Sequence, residues 1–178
     1  MDQAPSGKAV IVVDLQKDNV GGYCRPIIPN VKMLLREARG KGIPVIFALD
    51  SRYPDDFNFK SGHPPRTIRG TEGVKVIDEL EPGAGDLFVE KRMLSAFFGT
   101  DLDFTLRQKG IKTLIVTGVA TWACVLKTVL DACEMGYEVM VPADACASPV
   151  PEGHEAALTV MGLLRVVKPS VKEVIETL

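Results

Sequence analysis

Three residues of reactive types stand near the expected ends of strands in this 178-residue chain. Asp14 follows the apolar run KAVIVV, Lys91 follows DLFVE, and Cys124 begins a helix after the run KTLIVTG. Unpaired N–H groups and the helix dipole in a first helical turn favour a thiolate, so Cys124 is a candidate nucleophile. A buried Lys91 ammonium would need a carboxylate partner, which Asp14 can supply. The ordinary alternatives are a turn aspartate, a solvated lysine and a buried cysteine.

Neither histidine offers an obvious base for the thiol. His63 lies in a loop before two prolines and His154 opens a helix, and both are interpreted as peripheral. A carboxylate beside a lysine can take the thiol proton instead. The cysteines form no C-x-x-C pair, which argues against a structural zinc, a redox pair and a disulfide framework. We interpret the other three as small buried hydrophobic residues: Cys24, Cys133 and Cys146.

Strands and helices alternate in the predicted structure. Short β-branched runs predict strands at about 8–14, 43–49, 86–91, 112–118, 137–143 and 164–168. Stretches with helical spacing predict helices at about 30–41, 72–80, 101–109, 122–135, 153–162 and 170–177, with N-caps at Thr100 and Ser170. Near-continuous apolar strands are typical of a parallel sheet covered on both faces. We therefore predict a single α/β domain over residues 1–178.

The predicted sheet also indicates where a site would form. In open parallel sheets, ligands bind beyond the carboxyl ends of the strands, where the strand order reverses. A doubly wound order makes the first and fourth strands neighbours, which brings Asp14 close to Cys124. The irregular segment from Asp50 to about Gly70 is long for a compact domain. It is predicted to be a binding loop or lid, with a mobile surface excursion as the alternative.

Composition limits the partners. The net charge is −2, and 21 basic residues are scattered among 23 acidic ones without a basic stripe, so we expect no nucleic-acid partner. No apolar run is long enough to cross a bilayer, and the amino terminus MDQAPSGK lacks the features of a signal peptide. We expect no membrane partner and a reducing, cytoplasmic location.

Five segments resemble the isochorismatase-like hydrolase superfamily, which includes the nicotinamidases. They are VVDLQKDN (12–19), RTIRGTEG (66–73), VEKRMLSAFFGTDLD (89–103), VTGVATWACVLKTVLDACEMGYEVMVPADACAS (116–148) and GHEAALTVMG (153–162). The resemblance implies a three-layer αβα sandwich around a six-stranded, parallel, Rossmann-like sheet. It also implies a homo-oligomer, such as a dimer or tetramer.

The same resemblance implies a catalytic triad of Asp14, Lys91 and Cys124. Asp14 would take the thiol proton, Cys124 would attack the carbonyl carbon of a small amide or ureide, and Lys91 would stabilise the charged pair. Backbone amides of Ala120 and Cys124 would form the oxyanion hole, displayed by a cis peptide matching Val119–Ala120. Water activated by Asp14 would then hydrolyse the thioester.

Two departures from the nicotinamidases bear on metal and substrate. Those enzymes carry an aspartate, a histidine two residues later and a second histidine before a G-T-x-G segment, and these places are Asp50, Arg52 and Arg66 here. We therefore expect no metal and no other cofactor. The two arginines could bind a substrate carboxylate, or pair with aspartates of the loop. Trp122 and, more weakly, Phe57 are candidate pocket walls.

Several functions remain open. The leading hypothesis is metal-independent hydrolysis of a C–N bond in a small amide, carbamoyl or ureido compound, and the second is a nicotinamidase or pyrazinamidase. An isochorismatase-type vinyl ether hydrolase does not use the cysteine, so Cys124 argues against it. The simultaneous presence of all three triad residues argues against a non-catalytic binding module. A nucleotide-binding Rossmann protein is disfavoured because no G-x-G-x-x-G follows the first strand.

Overall fold

Six parallel strands form one sheet in the computed structural model, which describes residues 6–57 and 65–178. The strands are β1 (Lys8–Val13), β2 (Val45–Asp50), β3 (Leu87–Lys91), β4 (Thr113–Val119), β5 (Glu138–Met140) and β6 (Cys146–Ala147). Their order is β3-β2-β1-β4-β5, and β6 pairs with the carboxyl end of β4. β1 and β4 are neighbours, as the doubly wound order predicts.

Helices cover both faces of this sheet. They are α1 (Ile28–Gly40), α2 (Leu102–Gln108), α3 (Leu126–Glu134), α4 (Pro151–Leu163) and α5 (Val171–Thr177). Successive β1 side chains enter two separate cores: Ile11 packs with residues of α2, α3 and α4, whereas Val10 and Val12 pack with residues of α1 and α5. The three-layer αβα sandwich is therefore confirmed. In the described part of the chain, no helix is long and apolar enough to span a membrane.

The sixth strand was placed wrongly by the sequence pattern. Residues 164–168 contribute a single bridge, between Val167 and Met140, and the sixth strand is Cys146–Ala147. Arg165 has φ of +63°, a left-handed conformation that interrupts an extended run. β5 is also shorter than the predicted 137–143, and Pro142, which has no N–H to donate, follows shortly after it.

Two predicted helices also differ. The segment at 72–80 forms two 3-10 turns, Glu72–Val74 and Asp78–Leu80, because Val76 between them pairs antiparallel with Gln16. The helix predicted at 122–135 opens with a π-helical turn, Thr121–Val125, and becomes α3 only at Leu126.

The two predicted N-caps have different outcomes. Ser170 caps α5 in a capping box, in which its hydroxyl accepts from the Glu173 N–H at 3.3 Å. The N-cap of α2 is Asp101 rather than Thr100. The Thr100 hydroxyl still accepts a 3.3 Å hydrogen bond from the Leu102 N–H. The predicted cap was therefore displaced by one residue.

Gly118 allows the close approach of β4 to β1. Its φ is +118°, and a Cβ atom there would lie 2.0 Å from the carbonyl oxygen of Val13. We predict that Gly118→Ala lowers the free energy of unfolding by about 2–4 kcal/mol, because the backbone is strained and the β1 backbone must shift. Urea denaturation measures this. Gly40→Ala, with open space around the new Cβ, is the control and should stay within about 1 kcal/mol. Equal effects of the two substitutions would contradict this account.

Candidate active site

The Lys91 ammonium lies between two buried carboxylates at the carboxyl edge of the sheet. Its Nζ donates to Asp14 Oδ2 at 2.9 Å, to Asp50 Oδ1 at 2.7 Å and to the Met93 carbonyl at 3.2 Å. All three charged side chains are less than 10% exposed. Burial alone would lower the pKa of Lys91, but the negative charges of Asp14 and Asp50, and that of Cys124 when it is ionised, raise it above its usual range. Lys91 is therefore a permanent cation in this site.

Sheet register brings these charges together. Asp50 and Lys91 are direct partners in the β2–β3 ladder. Asp14 follows β1, and its N–H donates to the Ala48 carbonyl of β2 at 3.0 Å. Asp14 has φ of +53°, which turns the chain sharply out of the strand. Its Oδ1 accepts the Asp50 N–H at 3.1 Å, while Oδ2 faces Lys91.

Gln16 is a site residue that the sequence analysis missed. Its fully buried amide donates to the Asp50 carbonyl and to the Val74 carbonyl, both at 2.8 Å. Its side-chain oxygen accepts the Asp50 N–H at 3.0 Å. Gln16 therefore fixes the backbone of Asp50 on both sides. The signal for Gln16 in the sequence was its position, as a polar residue two positions after Asp14, the aspartate of the predicted triad.

Cys124 lies in the π-helical turn and is 7% exposed. Its sulfur and the carboxylate oxygens of Asp14 and Asp50 lie within 4.8 Å of one another. Burial raises the pKa of the Cys124 thiol and Asp14 raises it further, whereas Lys91 opposes both. The lowered pKa expected from a helix start is therefore wrong for the resting site, because burial beside two carboxylates outweighs the lysine. The thiol needs a base.

Asp14 has the properties of that base. Burial raises the pKa of its carboxyl to about 6, with Asp50 adding to the rise and Lys91 opposing it. A carboxylate whose pKa lies near neutrality accepts a proton more readily than an ordinary aspartate. The Cys124 sulfur and a carboxylate oxygen of Asp14 lie within 4.8 Å of each other, so no other residue is needed to carry a proton between them.

A cavity of about 210 Å³ opens onto the thiol. This equals the liquid volume of about seven water molecules, so the site fits a small compound and no folded polymer. The bond between Val119 and Ala120 is a cis peptide, and both residues border the cavity. Other lining residues include Asp14, Asp50, Arg52, Arg66, Trp122 and Tyr23.

One sequence interpretation needs correction. Phe57 does not border this cavity; it is 64% exposed and lines a separate cavity with Arg92 and Phe98. His154 does not line the cavity either, but its Nδ1 shares a 2.8 Å hydrogen bond with the hydroxyl of Thr121, at the start of the turn that carries Cys124. The other histidine, His63, lies outside the described residues.

The donor set does not fit a divalent metal. Asp14, Asp50 and Cys124 offer three close donor atoms, but the Lys91 ammonium already bonds both carboxylates. The second oxygen of Asp50 accepts from the Arg52 guanidinium at 2.9 and 3.2 Å. Two protein cations therefore stand where a metal would need free oxygen atoms.

A parallel α/β sheet that brings a cysteine, an aspartate and a lysine together at one edge is the arrangement expected of a hydrolase with a cysteine nucleophile. The isochorismatase domain model matches residues 8–175, and this chain belongs to the isochorismatase-like cysteine hydrolase superfamily. A ureidoacrylate amidohydrolase of Acinetobacter baylyi is 32% identical over an alignment of 189 positions, gaps included, that covers 87% of this chain and 77% of that protein.

Solved structures agree with this assignment. An isochorismatase-like hydrolase from Alkaliphilus metalliredigens has a TM-score of 0.91 at 30% identity, covering 96% of this chain and 98% of that one. The N-carbamoylsarcosine amidase from Thermoplasma acidophilum has a TM-score of 0.84 at 29% identity, covering 92% and 96%.

Removing the buried ammonium should make stability depend on pH. We predict that Lys91→Met lowers the free energy of unfolding by about 3–5 kcal/mol at pH 8, because two adjacent carboxylates lose their cation. Without Lys91 the pKa of Asp14 rises above its value of about 6. A carboxyl with a raised folded-state pKa is neutral at low pH and loses stability as pH rises through that pKa. The loss should therefore be smaller at pH 5.

Urea denaturation at both pH values tests this. Lys17→Met is the matched control, since Lys17 forms partly exposed ion pairs with Glu72 and Asp78 and should change stability by less than about 1 kcal/mol at either pH. An equal loss at pH 5 and pH 8 for Lys91→Met would contradict the buried charge cluster.

Proposed function

We propose that this hydrolase cleaves a C–N bond of a small amide, carbamoyl or ureido compound through a thioester on Cys124. The observation that carries the proposal is the Lys91 ammonium held between Asp14 and Asp50, directly beside the thiol. This arrangement supplies a base and a fixed positive charge without a histidine or a metal.

In the first half of the reaction, Asp14 takes the thiol proton as the sulfur attacks the carbonyl carbon. The new C–S bond turns the carbonyl oxygen into an oxyanion, which we assign to the backbone N–H groups of Ala120 and Cys124. Lys91 stabilises the thiolate while Asp14 is neutral. The C–N bond then breaks, and the leaving nitrogen takes the proton from Asp14 and departs as ammonia or an amine.

In the second half, the ionised Asp14 removes a proton from water, and the hydroxide attacks the thioester. The C–S bond breaks, the acid product leaves, and the Cys124 thiolate recovers the proton from Asp14. The site is thereby returned to its starting protonation. No step needs a metal, an oxidant or a second substrate besides water.

The named activities of the relatives support the substrate class, since a ureidoacrylate amidohydrolase and a carbamoylsarcosine amidase are both similar over most of the chain. The Arg52–Asp50 pair disfavours the metal-dependent nicotinamidase alternative. Cys124 at the cavity disfavours a vinyl ether hydrolase and a non-catalytic module.

We further propose a cytoplasmic location and a homo-oligomer, a dimer or a tetramer. All four cysteines are free thiols, as expected in a reducing compartment. Val160 and Leu163 on α4 are exposed by 40% and 80%, which is consistent with a helix face covered by another subunit.

A substrate panel with a cysteine variant tests the function. We expect ammonia from at least one of ureidoacrylate, carbamoylsarcosine, biuret, maleamate and nicotinamide. Cys124→Ala should lower the rate by about 10⁴-fold or more, because it removes the nucleophile. Cys133→Ala, on α3 outside the cavity, is the control and should stay within about twofold. Ammonia release that survives Cys124→Ala, or a wild-type protein inactive on the whole panel, would refute the proposal.

The acid side of the pH profile tests the base. Asp14 must be ionised to take the thiol proton, and its pKa is about 6. We therefore predict that kcat/KM falls about tenfold per pH unit below about pH 6 and is level just above it. Initial rates between pH 4.5 and 8 measure this. A profile that stays level down to pH 4.5 would remove Asp14 from the proposed role.

A further inference from the structure

The two arginines at the cavity differ in their surroundings. Arg52 is 9% exposed, and both its Nε and Nη2 bond the same oxygen of Asp50. Asp50 in turn bonds Lys91 through its other oxygen. Arg52 is thus committed to the charge cluster, and its removal would leave Asp50 to compete with Asp14 for the single ammonium.

Arg66 is exposed and borders the cavity. Within residues 6–57 and 65–178, its side chain forms no ion pair and no hydrogen bond. Tyr23 and Arg66 line the same cavity. Burial raises the pKa of the Tyr23 hydroxyl, and the Arg66 charge opposes that rise.

The backbone that carries Arg66 is held on two sides. The Thr67 N–H donates to Asp18 Oδ2 at 2.7 Å, and the Arg52 N–H donates to the Thr67 carbonyl at 3.0 Å. Ile68 pairs with Arg52 in a parallel bridge. Asp18 itself packs against Gly73, where a Cβ would lie 2.0 Å from its carboxylate. The backbone next to Arg66 is therefore fixed, which lowers the entropy cost of binding a ligand.

The balance of charged groups around the cavity indicates that its ligand is an anion. The carboxylates of Asp14 and Asp50 are matched by the ammonium of Lys91 and the guanidinium of Arg52, whereas Arg66 adds one positive charge at the cavity. A guanidinium presents paired N–H groups that fit a carboxylate bidentately. Trp122, 48% exposed at the same cavity, offers a flat apolar wall for the part of the ligand between the two ends.

We propose that Arg66 binds a carboxylate at the end of the substrate remote from the scissile C–N bond, so that the substrate is a small carbamoyl or ureido acid. That the bound carboxylate belongs to a substrate rests on the proposed function. The anion subsite itself does not depend on turnover. Arg52 has a separate task, as the counter-ion of Asp50.

Alkylation of Cys124 tests the subsite without any substrate. Iodoacetate and iodoacetamide differ only in a carboxylate and a neutral amide, and both alkylate thiols. The ratio of their rates at Cys124, measured by peptide mass spectrometry, should fall at least fivefold in Arg66→Met and be largely retained in Arg66→Lys. It should also fall with added salt, because Arg66 is exposed.

Arg36→Met is the matched control, because Arg36 is an exposed arginine of α1 that pairs with Glu37 outside the cavity. Its ratio should equal that of the wild type. A ratio unchanged in Arg66→Met, or lowered equally in Arg36→Met, would overturn the subsite.

A pair of carbamoyl compounds, one with a free carboxylate and one with its methyl ester, completes the test. The wild type should favour the acid, and Arg66→Met should lower the acid-to-ester ratio of kcat/KM at least tenfold, mainly through KM. Loss of alkylation selectivity without hydrolysis of either compound would retain the subsite and reject the proposed function. Hydrolysis of these compounds with an acid-to-ester ratio that is unchanged in Arg66→Met would retain the proposed function and reject the subsite.

Discussion

The Lys91 ammonium between two buried carboxylates is the interaction on which the rest of this structure depends. Moving an ion out of water costs several kcal/mol, and a buried lysine is tolerated only where negative charge and hydrogen bonds offset that cost. Asp14, Asp50 and the Met93 carbonyl provide them. Since Asp50 and Lys91 are ladder partners, a one-residue slip between β2 and β3 would turn Lys91 away from the site. The register of the sheet and the charge cluster therefore specify each other.

This cluster also determines the protonation state of Cys124, the proposed nucleophile. A thiol buried beside carboxylates is kept protonated, and the same burial makes Asp14 a better base. Near neutral pH the two groups therefore hold one proton, which lies on the Cys124 sulfur while Asp14 is ionised. Lys91 stabilises whichever partner is charged. Gln16 and Arg52 act one step away, since both bind Asp50, the second carboxylate bonded to Lys91.

Much of this arrangement could be predicted from the sequence, because it depends on where strands end. The apolar runs before Asp14 and Lys91, and the run before Cys124, place all three at one edge of a parallel sheet, and the resemblance assigned them roles. The role of Gln16 could not be predicted, since it depends on contacts with Asp50 and Val74, which are distant in sequence.

The incorrect predictions concern features that depend on tertiary contacts, which the local sequence pattern does not show. Residues 72–80 and 164–168 are short apolar stretches whose conformation is decided by tertiary pairing, with Gln16 and with β5, rather than by local pattern. A thiolate was expected at Cys124 because the residue lies at a helix start, but that position alone does not show that the thiol is buried. The two arginines looked equivalent because their spacing does not reveal that Arg52 pairs with Asp50 and Arg66 does not.

The central claim is that Asp14 is a buried base held by Lys91 against the Cys124 thiol, and carboxyl ¹³C NMR tests it most directly. In protein labelled at the aspartate side-chain carbons, with Asp14→Asn used for assignment, the Asp14 resonance should titrate at about pH 6. It should move higher in Cys124→Ala, because the neighbouring thiol lowers the pKa of Asp14. Titration near 3.8, the ordinary aspartate value, with no response to Cys124→Ala, would contradict the account.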